Sequence, residues 1–258
     1  MSINIENIIN KICQYFSIYT VRIEQLKGYC EFAEVGYRKL LSHSKTRWLS
    51  IFPGMTRLIE MFIPLKFFFL SQEHPPTIIK QFFENEMSEI YIWHLYSLFS
   101  FFHTHIQAME RASNSVVEVL TSLDSVQKIL EERKTQNFLS LKVKGLLSQK
   151  RSEGYEIEGK NFLSEVANLY ENCLQYLNKW MKPLEDFNCF KWMSLSETPS
   201  WDTVEICVEY LVGKEIHVDD AKCFDQVCNL KSFVEGCISD DELTALPSHK
   251  KWCRYFQQ

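Results

Sequence analysis

Three basic side chains and an indole ring lie close together in a short polar break between two apolar stretches: His43, Lys45, Arg47 and Trp48. Basic side chains of this kind bind phosphate groups, and an indole ring can stack on a nucleobase. The pattern therefore makes these four residues candidate DNA contacts. The alternative is that Trp48 anchors the core and that Arg47 pairs with a carboxylate.

Two other groups of reactive side chains have spacings that do not favour a site. His103 and His105 are two residues apart, which on a helix separates them by about 200° and prevents them from sharing a metal ion. Glu84, Glu86 and Glu89 form a small acidic cluster, which a charge bias at the start of a helix explains.

The nine cysteines are not arranged as metal ligands, because no CxxC pair occurs and Cys223 and Cys228 are five residues apart without a nearby histidine. We expect reduced, mostly buried thiols in an intracellular protein. The sequence also lacks the phosphate-binding glycine loops, the GxSxG nucleophile turn and the HExxH zinc motif. These residues predict no catalytic site, no metal, no cofactor and no small-molecule substrate.

The elements that position these residues are predicted to be helices. Only 8 glycines and 7 prolines occur among 258 residues, whereas β-rich folds need many tight turns built from those residues. Apolar residues recur at three- and four-residue spacings along most of the chain, and aromatic residues make up 14% of it. The predicted fold class is mainly α, a helical bundle with a bulky aromatic core.

Helices are predicted most clearly over residues 3–16, 22–41, 161–182 and 201–212. Pro64 is expected to kink or end a helix that begins at Pro53, because proline lacks the backbone donor and clashes with the preceding turn. Pro75 and Pro76 should separate that region from the next helix. The stretch 144–160 contains three glycines and few apolar residues, and it is predicted to be a flexible loop.

The charge and hydropathy of the chain limit its partners. The net charge is −5, with 28 basic and 33 acidic residues, so any DNA contact must be weak and local. The most apolar stretches, 61–70 and 90–102, are shorter than the roughly 20 residues that span a bilayer, and the N-terminus has no secretory signal. We therefore expect no membrane association and a location in the nucleus or cytoplasm.

The run from Leu40 to Ser71, LLSHSKTRWLSIFPGMTRLIEMFIPLKFFFLS, is preceded by LKGYCEFAEVGYRK and closely resembles hAT-superfamily (hobo/Ac/Tam3) transposases and their domesticated derivatives. The match is specific over residues 20–71, and a weaker similarity extends to the C-terminus. In that family an Arg-Trp pair follows the second catalytic Asp region of an RNase H-like domain and opens an all-helical insertion domain. Arg47 and Trp48 match this pair, whose Trp stacks near a flipped base in the family.

The resemblance implies an internal fragment in which residues 1–45 are a helical remnant of the RNase H-like domain and residues 46–258 are the insertion domain. The family's metal-binding Asp-Asp-Glu triad and its C-x-x-H motif are not recognised here, so no catalytic residue can be transferred. We expect a transposon-derived, catalytically inactive protein that acts as a protein- or DNA-interaction module, with a protein partner or a second copy of itself. The alternatives are a fragment of an active transposase and an unrelated helical scaffold or adaptor.

The same resemblance predicts weak packing at the N-terminal end. A remnant without its sheet would leave one face of the first helices uncovered. Residues 1–45 are therefore expected to pack less well than residues 77–258.

Overall fold

The computed structural model of the chain describes residues 3–42, 50–111, 114–238 and 246–257, with the last two residues of the third range described by backbone alone. Within these ranges every regular element is a helix, so the predicted fold class, mainly α, is confirmed. No helix in the same ranges is both long and apolar enough to cross a bilayer.

The α-helices are numbered in chain order: α1 Ile5–Ser17, α2 Thr20–Phe32, α3 Ile51–Glu60, α4 Phe62–Ser71, α5 Thr77–Glu84, α6 Ser88–Met109, α7 Val116–Thr135, α8 Leu141–Ser152, α9 Glu156–Met181, α10 Trp201–Gly213, α11 Asp220–Ile238 and α12 Ser248–Tyr255. A 3-10 helix, Lys182–Ser194, follows α9 and begins at the residue where the helix predicted over 161–182 was expected to end. The predicted helices therefore occur, but with several different boundaries.

The helices form two compact units. The first unit comprises Met1–Thr104 and Arg133–Glu171, and the second comprises His105–Glu132 and Asn172–Gln258. The first unit thus contains residues on both sides of position 45. The division at residues 45 and 46, which rests on the family resemblance, stays a prediction.

Helix α1 buries one apolar face, as its spacing predicts. The buried side chains are Ile5, Ile8, Ile9, Ile12 and Phe16. This face packs in the first unit against α2, α3 and α5. The expectation of weak packing at the N-terminal end is therefore wrong for α1, because other helices, rather than a sheet, cover its apolar face.

Pro64 separates α3 from α4, as predicted. The break lies at Met61, whose φ of −111° and ψ of 16° leave the helical region. Proline clashes with the carbonyl four residues earlier, which here belongs to Glu60, the last residue of α3. The chain resumes at once in α4, so the two helices are joined by a single kinked residue.

Helix α2 ends at Phe32, nine residues before its predicted end at 41. Glu34 adopts a left-handed conformation, with φ of 55°. The Glu34 N–H donates to the Glu31 carbonyl at 3.1 Å, and the Val35 N–H donates to the Cys30 carbonyl at 2.9 Å. These two bonds form a Schellman cap, with glutamate at the position that usually carries glycine.

The flexible loop predicted over 144–160 is also corrected by the structure. Helix α8 extends to Ser152, and α9 begins at Glu156. The connection is a short turn at Gly154, whose φ of +100° requires glycine, and the Tyr155 N–H donates to the Lys150 carbonyl at 3.0 Å. The polar composition that suggested a loop instead forms the exposed face of α8.

Residues of the types that favour the N-cap position begin helices of the second unit. Ser200 accepts from the Thr203 N–H at 3.4 Å, and Asp219 accepts from the Lys222 N–H at 3.1 Å. Ser115 is followed three residues later by Glu118, which accepts from the Ser115 N–H at 2.9 Å, one of the two bonds of a capping box. Ser113 and Asp240, where the residue types also favour the start of a helix, lie outside the described residues.

Two apolar clusters of the second unit share Trp192. That ring packs against two clusters, one containing Leu195 and Leu230 and the other containing Val204 and Val227. Helix α12 joins the first cluster through Trp252, whose indole N–H donates to the Met193 carbonyl at 2.8 Å.

Candidate interaction site

The four predicted DNA contacts, His43, Lys45, Arg47 and Trp48, lie outside the described residues. The structure therefore brings none of them together and separates none of them. Their role as DNA contacts stays a prediction from the sequence.

The acidic cluster is a set of ion pairs. Each of its three glutamates faces a lysine, in the pairs Lys80–Glu84 at 3.6 Å, Lys66–Glu86 at 3.4 Å, Lys150–Glu86 at 2.6 Å and Lys142–Glu89 at 4.0 Å. The hydrogen bond from Lys150 holds the pKa of Glu86 below its ordinary value. Glu84 is the last residue of α5, so a charge bias at a helix start explains only Glu89, in the first turn of α6.

The histidine and cysteine candidates have packing roles. The ring of His103 lies against that of Phe52, with centroids 4.7 Å apart. Burial raises the pKa of Cys13, Cys173 and Cys207 to about 11, so these thiols are protonated at neutral pH and are weak nucleophiles. Across the part of the chain that the structure describes, no three His, Cys, Asp or Glu side chains are placed to hold a metal ion.

The expectation of mostly buried thiols is only partly right. Eight cysteines are described, and all are free thiols. Cys30 and Cys207 are buried, whereas Cys228 and Cys253 are exposed.

An open apolar groove between α2 and α4 is the most distinctive surface of the first unit. The Tyr29 hydroxyl and the Ser71 hydroxyl are hydrogen-bonded at 2.6 Å, and the rings of Phe32 and Phe67 meet edge to face with centroids 6.3 Å apart. These two pairings show that the helices run in opposite directions. The Tyr29 ring also packs against Phe68, which anchors α2 to the core.

We call this surface the α2–α4 groove; it is lined by Gln25, Gly28, Tyr29, Phe32, Phe67 and Ser71 and has a volume of about 470 Å³. Phe32 is 79% exposed and Phe67 is 48% exposed. Gly28 lies one helical turn before Phe32, and a Cβ atom built at that position would have no other atom within 4 Å. The space above Gly28, beside the paired rings of Phe32 and Phe67, could therefore admit a bulky side chain.

No protein-family model, curated protein or solved structure matches this chain. The chemistry of the α2–α4 groove must therefore be inferred from its own side chains. Of its six lining residues, none carries a carboxylate, an imidazole, a thiol or an amine. Exposed aromatic surface with few polar groups is suited to binding another apolar surface.

Carboxylates border the groove along α2. Glu24 lies four residues before Gly28 and Glu31 lies three residues after it, so both occupy positions next to Gly28 on the helix surface. Lys27 donates to Glu24 at 2.7 Å, and this hydrogen bond raises the pKa of the lysine. Glu31 has no ion-pair partner among the described residues, so this border is net negative.

Sequence reasoning missed the groove, although one signal for it was present. Helix α4 reads FIPLKFFFLS, which is more apolar than a helix with a single buried face requires. Its buried positions include Phe62, Leu65 and Phe69, while Ile63 and Phe67 are exposed. An apolar residue at nearly every position of a short helix can therefore indicate a second, functional face.

Proposed function

We propose that this chain is a non-catalytic helical interaction module derived from an hAT transposase. The observation that carries this proposal is the α2–α4 groove, where the paired rings of Phe32 and Phe67 are exposed beside Gly28. The resemblance over residues 20–71 supports the descent. The missing Asp-Asp-Glu triad and C-x-x-H motif in the sequence support the lack of catalysis.

A protein partner suits the groove better than a small molecule. The groove is open along both helices, and its lining offers one amide, from Gln25, as a polar group without a described side-chain partner. Small-molecule sites usually enclose the ligand and place several polar groups around it. Aromatic side chains exposed beside a cavity are instead typical of the residues that dominate protein interfaces.

Filling the groove is expected to remove a natural partner without unfolding the protein. Gly28→Leu places a side chain into open space and improves the helix propensity of α2 by up to about 1 kcal/mol. Gly145→Leu, in α8, is the matched control, because that glycine is also helical and also has no atom within 4 Å of a built Cβ. Proximity labelling in cells with the full chain should show proteins that Gly28→Leu loses at least fivefold and that Gly145→Leu retains.

Equal labelling by the wild type and Gly28→Leu would contradict a role for the groove. Thermal unfolding followed by circular dichroism checks that both variants are folded. A partner lost equally in both variants would indicate a general effect of added leucine and would also count against the proposal.

DNA is the second partner that we propose, through His43, Lys45, Arg47 and Trp48. The support is the residue pattern and its resemblance to the family's Arg-Trp pair, which also favours a nuclear location. Trp48→Ala is expected to weaken binding to single-stranded or flanking DNA by roughly 1–3 kcal/mol, the usual contribution of one stacked base. Fluorescence anisotropy at low salt measures this change, and an unchanged affinity would exclude stacking on Trp48.

A further inference from the structure

The exposed apolar area beside the groove fits a single helix. Ile63 and Leu70 are 44% and 39% exposed, and with Phe67 they form a stripe at i, i+4 and i+7 along α4. Together with Phe32, these side chains present roughly 400 Å² of apolar surface, taking about 200 Å² for a fully exposed aromatic side chain. A stable interface between folded proteins buries about 800 Å² on each partner, of which a little over half is apolar, so the patch by itself is at most the apolar core of one such face.

The lengths of the two helices that form the groove also fit a single bound helix. Helix α4 has 10 residues and is about 15 Å long, whereas α2 has 13 residues and is about 20 Å long. A helix of about three turns would lie along both, with one bulky side chain in the space above Gly28. Apolar anchors at i, i+3 or i+4, and i+7 are the usual pattern of a helix bound in a groove.

The charges along the border of the groove determine which charged residues should lie beside the apolar face of such a helix. Glu24 and Glu31 are both exposed beside Gly28, and Glu34 is exposed just beyond the end of α2. Lys27 is bonded to Glu24, and on the other side Lys66 is bonded to Glu86. The border along α2 therefore keeps a negative charge that lysine or arginine on the partner would complement.

We propose that the α2–α4 groove binds an amphipathic helix of about three turns that has an apolar face and a basic flank. This inference rests on the proposed function, because it names the class of partner for the same groove. The partner's large apolar side chain enters the space above Gly28, beside the paired rings of Phe32 and Phe67. Its basic residues lie beside Glu24 and Glu31.

A displayed library of helical peptides tests the proposal directly. The probe has Leu or Phe at three positions of one face and random Lys, Arg, Glu, Gln or Ser at the flanking positions, and it is selected on the full chain. We expect at least fivefold enrichment of Lys and Arg at the flank, with at least tenfold weaker binding to Gly28→Leu and unchanged binding to Gly145→Leu. The charge-reversal variant Glu31→Lys should shift the preference toward Glu, and the preference should weaken in 0.5 M salt.

Each other result would overturn the proposal. Selected flanks that are acidic or random would reject the basic partner, and binding that Gly28→Leu leaves unchanged would reject the groove. Analytical ultracentrifugation that shows a dimer of the wild type and a monomer of Gly28→Leu would identify a second copy as the occupant. If proximity labelling shows a partner that Gly28→Leu loses while no basic helical peptide binds, the proposed function stands and this inference fails.

Discussion

Replacing Phe69 with alanine is expected to lower the free energy of unfolding of the first unit by about 3–5 kcal/mol, the usual cost of truncating a fully buried aromatic residue. The Phe69 side chain is fully buried and stacks on Phe83, with centroids 5.8 Å apart and an angle of 15° between the rings. Phe16 and Phe68 contact it from the sides, with centroids 5.6 and 5.2 Å away. The Tyr15 ring also contacts it, with centroids 5.1 Å apart, so truncation would leave a cavity walled by four other rings, which cannot all move to fill it.

Phe67→Ala is the matched control, because it removes the same side chain two residues earlier in α4. Phe67 is about half exposed and contacts Phe32 at the surface, so its loss should cost no more than about 1 kcal/mol. Urea unfolding of both variants, followed by circular dichroism and a probe placed in the first unit, measures the difference. Equal destabilisation by the two substitutions would contradict the assignment of Phe69 to the core and Phe67 to the groove.

Local rules in the sequence predicted much of the helical framework. The three- and four-residue spacing of Ile5, Ile8, Ile9, Ile12 and Phe16 determined α1, because those positions share one face of a helix. Pro64 determined the break between α3 and α4, since its effect on the preceding turn does not depend on the rest of the fold. Ser200 and Asp219 determined helix starts for the same reason.

Features that depend on tertiary packing were not predictable in this way. Three glycines suggested a loop over 144–160, but only Gly154 needs its conformational freedom, while Gly145 and Gly159 lie within helices. The sequence also gives no sign that Glu34, rather than Gly36, would take the left-handed position that ends α2. Either residue could follow a helix, and the choice depends on what the next segment contacts.

The candidate site also depends on tertiary packing, so it could not be predicted from the sequence. The residues of the α2–α4 groove come from two segments about 40 positions apart, and the sequence cannot tell which face of α4 is covered. The four predicted DNA contacts, in contrast, lie within six consecutive residues, so their types and spacing alone were enough to propose them. Local reasoning therefore favours sites built from one segment and misses surfaces that form where two helices meet.

Acidification from pH 7 to pH 5 is expected to destabilise the first unit by about 2 kcal/mol through His94 alone. His94 is 2% exposed, its Nε2 has no hydrogen-bond partner among the residues that the structure describes, and its ring meets those of Phe162 and Tyr170 with centroids 5.8 Å away in each case. Burial, helped by the positive charge of Arg133, lowers the pKa of His94 to about 4 from an ordinary value of 6.5. The folded protein therefore keeps this imidazole neutral, whereas the unfolded chain takes up a proton below pH 6.5.

The direction in which the free energy of unfolding changes with pH follows from that difference in bound protons. Stability is complete above pH 6.5, declines as the pH falls from 6.5 to 4, and changes no further through His94 below pH 4. Each pH unit within this window costs about 1.4 kcal/mol once the unfolded chain is fully protonated, so the whole effect is about 3 kcal/mol.

His94→Phe isolates this contribution, because phenylalanine keeps a ring between Phe162 and Tyr170 and cannot titrate. The free energy of unfolding of this variant should fall less between pH 7 and pH 5 than that of the wild type, by about 2 kcal/mol. His74→Phe, at an exposed histidine of the same unit, should keep the wild-type profile. Carboxylates such as Glu86 titrate in all three proteins, so parallel pH profiles for the wild type and His94→Phe would assign the acid sensitivity to those carboxylates and not to the buried imidazole.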